Sequence, residues 1–181
     1  EKGLEPLANL ILLQKMTVSP LEAAKNYINP EKEVSTAEDA LNGAKDILAE
    51  SVSDNADFRT HIRELTMKHG QLLSAAKDPE AESVYEMYYE FSESLSKLAG
   101  HRILAISRGE KEKFLTVKID APVDRILSYL DRKLITAPSA PTAAVLHEVT
   151  EDAYNRLIAP AIEREIRNDL FEKAEDGAIR V

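Results

Sequence analysis

The chain has 181 residues, 44% of them hydrophobic and 30% charged, with a formal charge of −9 and no cysteine. That composition supports a buried core and excludes disorder, disulfides and thiolate metal sites. Net acidity opposes general capture of nucleic acid, which needs clustered Lys and Arg, so any such surface has to be local.

Helix signals begin at once. In LEPLANLILLQK, Pro6 sits near a helix start, where its missing N–H costs nothing. In SPLEAAKNYI, Ser19 is placed to cap, with Pro20 as first residue and Glu22 three positions on; NPEKEVS follows as a loop. Thr36 and Asp39 repeat that relation before a helix with the stripe Ala40, Leu41, Ala44, Ile47 and Leu48. Ser53 is placed to cap the next helix, whose stripe is Phe58, Ile62, Leu65 and His69, and Gly70 is expected to end it in a left-handed conformation. Asp78 and Pro79 read as the cap and first residue of a further helix through DPEAESVYEMYYEF. Its Tyr85, Tyr88 and Tyr89 read as packing residues. Base stacking by these aromatics is the alternative, but no basic residue is interleaved between Tyr85 and Ser96.

Residues 101–119, HRILAISRGEKEKFLTVKI, differ from their surroundings. Five basic residues, Arg102, Arg108, Lys111, Lys113 and Lys118, stand against Glu110 and Glu112. The apolar spacing predicts HRILAISR as a short helix broken at Gly109, then a charged turn, then FLTVKI as a strand. A hairpin of ILAIS with FLTVKI is the alternative. A lone strand leaves its ladder groups unpaired, so without a second strand in this chain the partner has to come from elsewhere. His101, Arg102, Arg108, Lys111 and Lys113 form a candidate positive rim for phosphates. The competing reading is a solvated RGEKEK turn beside a core of Ile103, Leu104 and Ile106.

After Asp120 to Pro122 the helical pattern resumes through VDRILSYLDRKL, and TAPSAP is the best linker, dividing the chain into residues 1–138 and 139–181. Beyond it Val145, Val149, Ala153 and Leu157, then Ile162, Ile166 and Leu170, keep a four-residue spacing. Pro160 has no N–H for residue 156 and its ring crowds that turn, so a break or kink is predicted there. The fold class is mainly α: a multi-helix array, one short strand or hairpin near residues 103–119, and a long kinked C-terminal helix.

Motifs for chemistry are missing. The glycines are scattered, giving neither a P-loop nor a dinucleotide fingerprint, and no G-x-S-x-G elbow occurs. His61 and His69 are eight apart without H-E-x-x-H, with Glu64 one turn from His61, so the default for the four histidines is surface or interface rather than metal. Glu163 with Glu165, or Glu172 with Glu175, are carboxylate pairs by proximity in sequence, yet residues two apart do not face each other on a helix. No catalytic residue, metal or cofactor is assigned, and the chain is read as no enzyme. No apolar run approaches the roughly 20 residues of a membrane span and no signal peptide is visible, which suits a cytoplasmic setting; the first residue is Glu rather than Met.

One resemblance joins these pieces. HRILAISRGEKEKFLTVKI resembles the H-R-x-L-A-x-x-R-G-E-x-E-G-x-L-x-V-K-I segment of the Tex family of bacterial RNA-binding transcription accessory proteins. EKGLEPLANLIL, ALNGAKDILAE and RLIAPAIEREIRNDLFEKAEDGAI are similar to three further segments of that family, so the likeness spans the chain. Lys113 stands where the family pattern has Gly, so a turn of different shape is expected before the strand. The resemblance implies a helical N-terminal region of a longer protein, with residues 139–181 leading toward a YqgF-like domain on which the region docks. Helix-hairpin-helix elements and an S1 domain would follow, the latter carrying much of the RNA or DNA binding. It also implies kinship with a eukaryotic transcription elongation factor. The function implied is a non-catalytic scaffold that positions nucleic-acid-binding domains and touches nucleic acid weakly at most. The alternative is an adaptor whose apolar helix faces dock on the transcription machinery, RNA polymerase included. On either reading, residues 101–119 are a structural joint first and a nucleic-acid contact second.

Overall fold

A computed structural model describes the backbone of residues 3–180 and the side chains as far as Glu175. In chain order the elements are α1 (Glu5–Leu13), α2 (Pro20–Ala24), α3 (Ala37–Asp54), α4 (Ala56–His69), β1 (Gln71–Ala76), β2 (Glu90–Ser94), α5 (Gly100–Lys111), β3 (Leu115–Asp120), α6 (Val123–Leu134), α7 (Thr142–Asp152) and α8 (Ala159–Arg180). A π-helical stretch, Ala153–Ile158, joins α7 to α8. The fold is mainly α with one small sheet and a long C-terminal helical run. It divides into two compact units, Glu1–Arg59 with Asp124–Pro160, and Thr60–Val123 with Ala161–Val181.

Among the described residues the regular elements of the first unit are helical, with one isolated bridge between Asn29 and Val34. Ser19 Oγ accepts from Glu22 N at 3.2 Å and Thr36 Oγ1 from Asp39 N at 3.1 Å, so both predicted caps form. The cap of α4 is Asn55, whose Oδ1 accepts from Phe58 N at 3.0 Å, and not Ser53. Ser53 is buried near the end of α3 and takes the Arg59 guanidinium on its hydroxyl instead. Leu7, Ile11, Ala40, Ala44, Ile126, Leu130, Leu146 and Ile158 are fully buried and make the core.

Gln14, just past α1, is a buried polar residue with a left-handed backbone (φ 59°). Its amide donates to Leu134 O at 2.7 Å and accepts from Thr136 N at 2.8 Å and Ala137 N at 3.1 Å. One side chain thereby satisfies backbone groups at the end of α6 that the helix itself leaves open.

Helix persists through Pro160. The π-helical turns before it loosen the ladder where the proline ring would otherwise clash. They also shift the apolar stripe by one residue. Burial passes from Val149 and Ala153 to Ile158, leaving Leu157 only half-buried; Val145, ahead of the π stretch, is half-buried as well, with Leu146 buried beside it.

His147 on α7 lies between two carboxylates, with Nδ1 2.7 Å from Asp131 on α6 and Nε2 2.8 Å from Glu151 one turn on. The hydrogen bond to Asp131, then the charges of Asp131 and Glu151, raise the imidazole above its ordinary 6.5, against a lowering by burial. A folded-state value above the unfolded one means a contribution fully present below pH 6.5 and lost as pH rises through the folded value. The ring is half-exposed, so the effect is expected to stay below about 1 kcal/mol. Urea midpoints measured across neutral pH are expected to fall as pH rises, and His147→Gln to remove that part of the slope.

The second unit holds the sheet, strand order β2-β1-β3, antiparallel throughout. The strand predicted at FLTVKI therefore finds its partner inside the chain, at QLLSAA. Leu72 pairs with Glu93 on one side and Ile119 on the other. Leu72, Ser74, Leu115 and Val117 are buried while Gln71, Ala75, Thr116 and Lys118 are exposed, the alternation of a sheet with one covered face.

Two helix expectations fail here. Asp78 and Pro79 open a turn: Asp78 Oδ1 accepts from Glu80 N at 3.0 Å and Asp78 O from Ala81 N at 3.1 Å, an Asx-type closure that competes with helix. A short 3₁₀ turn, Glu86–Tyr88, follows, and then β2. Gly70 is not left-handed; a β-carbon there would stand 2.4 Å from Thr66 O and 3.1 Å from Asp120 O, so close backbone approach is what requires glycine.

Gly109 does not break α5, which runs two residues further. A β-carbon at Gly109 would lie 2.4 Å from Leu115 Cδ1, 2.8 Å from Leu115 Cγ and 3.2 Å from Tyr85 Cδ1. Leu115 is fully buried, so it has little room to yield. Gly109→Ala is expected to destabilise by about 1–3 kcal/mol through overpacking, read as a lower urea midpoint at unchanged m-value.

Candidate nucleic-acid interface

All five predicted rim residues lie on α5 or its C-terminal turn. His101 is exposed in the first turn of a helix that begins with no side-chain cap and no acidic residue. Arg102 is half-buried, 3.4 Å from Glu93 and 5.7 Å from the centre of the Phe91 ring, which makes it a packing and pairing residue of the sheet. Arg108, Lys111 and Lys113 are exposed at the other end and form no ion pair among the described residues. His101 and Lys111 are ten residues apart, about 15 Å along the helix. The five therefore do not form one rim: His101 and Arg102 stand at one end, Arg108, Lys111 and Lys113 at the other.

The basic end is a helix stop of defined geometry. Lys113 N donates to Glu110 O at 3.1 Å and Phe114 N to Gly109 O at 2.9 Å, the paired bonds of a Schellman motif. Lys113 occupies its left-handed position with φ 70°. The conformation glycine favours is thus kept, with a lysine in it. Arg108 and Lys111 also lie where cations compensate the carbonyl end of the helix.

Acidic groups surround this turn. Glu110 holds Arg167 of α8, whose guanidinium also lies 5.6 Å from the Phe171 ring centre. Glu112 accepts the Tyr85 hydroxyl; that hydrogen bond and burial raise the tyrosine above its ordinary 10, and the nearby Arg108 charge partly opposes them. Tyr85 belongs to the segment 78–90, which carries Asp78, Glu80, Glu82, Glu86 and Glu90, all exposed, and no basic residue.

The segment IEREIRND of α8 is used inside the unit. Glu163 accepts from Ile119 N of β3 at 3.3 Å, Asp169 and Glu165 pair with Arg63 of α4, and Arg167 pairs with Glu110. None of these roles is readable from local sequence, because each partner is more than 40 residues away. Among the described residues, no group of three or more His, Asp or Glu side chains is placed to hold a metal, and no helix is long and apolar enough to cross a membrane.

Fold and surface together define a class: a mainly helical module with a small antiparallel sheet and a basic helix end braced by acidic neighbours. The family model described as Tex central region-like matches residues 15–181, and the chain belongs to that family. It is 48% identical to the uncharacterized protein YdcI of Bacillus subtilis, covering 99% of this chain and 26% of that protein. It is 35% identical to Protein tex of Bordetella pertussis, over 100% of this chain and 25% of that one. It is also 31% identical to human S1 RNA-binding domain-containing protein 1, over 98% of this chain and 19% of that one. The chain thus spans about a quarter of the length of YdcI and Protein tex.

Lys113→Gly is expected to stabilise by up to about 1 kcal/mol, since relief of left-handed strain exceeds the added unfolded-state entropy of glycine. Thermal unfolding of the variant beside the parent chain reads this directly, and a lower melting temperature contradicts the assignment of the turn.

Proposed function

We propose that the chain is a non-catalytic helical scaffold of a Tex-type transcription accessory protein. Its task is to position nucleic-acid-binding domains that lie elsewhere in proteins of this family, and its own contact with RNA or DNA is weak. The observation that carries this reading is the use of charged side chains. Glu163, Glu165, Arg167 and Asp169 of α8, with Arg63, Arg102 and Glu110, tie elements of one unit together. Of the cations in no ion pair among the described residues, Arg108, Lys111 and Lys113 cluster at the end of α5, near the acidic segment 78–90 that Tyr85 ties to Glu112. Family membership supports the transcription setting, and the name of the human relative refers to RNA binding by an S1 domain. A soluble, cytoplasmic protein acting with nucleic acid and docking on a YqgF-like domain fits the same reading.

An adaptor that docks on the transcription machinery is the second reading. Leu10, Leu13, Val18 and Leu21 in and around α1 and α2 favour it, because each is more than a third exposed.

Titration of labelled RNA and duplex DNA tests the scaffold. Binding is expected at a Kd of about 10⁻⁵ M or weaker in low salt, vanishing at physiological salt. The triple variant Arg108→Gln, Lys111→Gln, Lys113→Gly is expected to abolish what remains while keeping the turn. Sub-micromolar, sequence-selective binding contradicts the proposal.

A further inference from the structure

Val84 and Met87 are 85% and 71% exposed, above every other large apolar side chain among the described residues. They sit between β1 and β2 on a stiff mount. Tyr88 N bonds Tyr85 O at 2.9 Å and Tyr89 N bonds Glu86 O at 3.1 Å, so the turn has the three-residue repeat in which residues three apart eclipse. Tyr85 and Tyr88 go inward, to 7% and 5% exposure, while Val84 and Met87, the residue before each of them, stay outside. Tyr88 packs edge-on against Phe91, and Ser74 Oγ donates to Tyr88 O at 2.8 Å. The Tyr89 hydroxyl donates to Ala81 O at 2.7 Å and lies 2.8 Å from Ser83 Oγ.

We propose that this turn is a docking knob for a protein surface that offers an apolar socket edged by lysine or arginine. Two bulky apolar groups carried on a hydrogen-bonded backbone turn cost little backbone freedom on binding, which favours them as anchors. The carboxylates of Asp78, Glu80, Glu82, Glu86 and Glu90 surround them in sequence, all exposed and none in an ion pair among the described residues. These carboxylates repel phosphates of nucleic acid and of anionic lipid, and steer a cationic protein surface toward the knob. The apolar centre with a charged rim is the arrangement of a protein interface. The inference goes beyond the scaffold role and does not depend on whether the chain touches RNA.

Two synthetic amphipathic helical peptides with the same leucine face test it, one with lysine and one with glutamate at the polar positions. Each is titrated into the ¹⁵N-labelled 181-residue chain. The lysine peptide is expected to shift resonances concentrated in residues 82–90, and the glutamate peptide to leave them alone. Val84→Ser with Met87→Ser is expected to weaken binding at least about tenfold at unchanged melting temperature, since both side chains are already in water. Glu82→Lys with Glu86→Lys is expected to transfer the preference to the glutamate peptide. The proposal is overturned by shifts spread over other acidic helix faces, by indifference to the serine variants, or by no binding at millimolar peptide. Movement of the same resonances by RNA instead of peptide also overturns it, and leaves the scaffold test to be judged by its own salt dependence.

Discussion

Helix α5 lies against β3 so closely that a β-carbon at Gly109 would enter the space of Leu115 and the Tyr85 ring. Much of the second unit follows from that contact. It seats Leu115, the first residue of β3, at zero exposure, and β3 in turn supplies one flank of β1. It brings Tyr85 to the end of α5, where the phenol reaches Glu112 and packs 5.9 Å from Phe114. The segment between β1 and β2 is thereby anchored at its middle, although it has no regular structure of more than one turn. A glycine chosen for space, inside a helix, has a cost in helix propensity of about 1 kcal/mol. Here packing overrides it.

The long helix α8 works by a different means. A sheet of three short strands with one covered face needs its edge groups satisfied and its cover held in register. Glu163 answers a β3 amide directly, and Arg167, Glu165 and Asp169 fix the same helix to α5 and α4. Each pair is partly exposed, so none is worth much alone. Burial of Ile162, Ile166 and Leu170 sets which side of the helix faces inward, and the flanking pairs add specific partners on α4, α5 and β3. Glu163 and Glu165, two apart, face different partners, as helix geometry requires.

The helices and their caps were legible because their causes are local. Ser19 and Thr36 cap what they were expected to cap, and the strand at 115–120 shows in its alternation. The signals that misled were also local ones. Asp78-Pro79 is as good a turn as a helix start, and the Asx closure wins because the following tyrosines are needed inside a 3₁₀ turn. QLLSAA and EFSES carry little β-branched character and are strands because β3 and the core require partners, a tertiary reason that propensity does not contain. Ser53 and Asn55 both resemble caps; the inward side of α3 claims the serine. The π-helical stretch before Pro160 was signalled only by the proline itself. Of the predicted basic residues, the packing role of Arg102 depends on Glu93 and Phe91 of β2, an element that local sequence does not signal.

The charges of RGEKEK, which cancel on paper, separate in space. Glu110 is neutralised by Arg167 and Glu112 is engaged by Tyr85, while Arg108, Lys111 and Lys113 point to solvent. A phosphate at contact distance therefore meets more positive charge than the sequence suggests. A phosphate further away meets less, because the tyrosine that engages Glu112 also tethers a segment with five exposed carboxylates. At physiological salt, fields between exposed charges decay over about 8 Å, so the two regimes are separated by roughly one helix diameter. On the proposed scaffold reading, such a surface receives a backbone that another domain has already brought close and does not recruit one by itself. On that reading a basic stretch in this chain is compatible with family membership and net acidity alike.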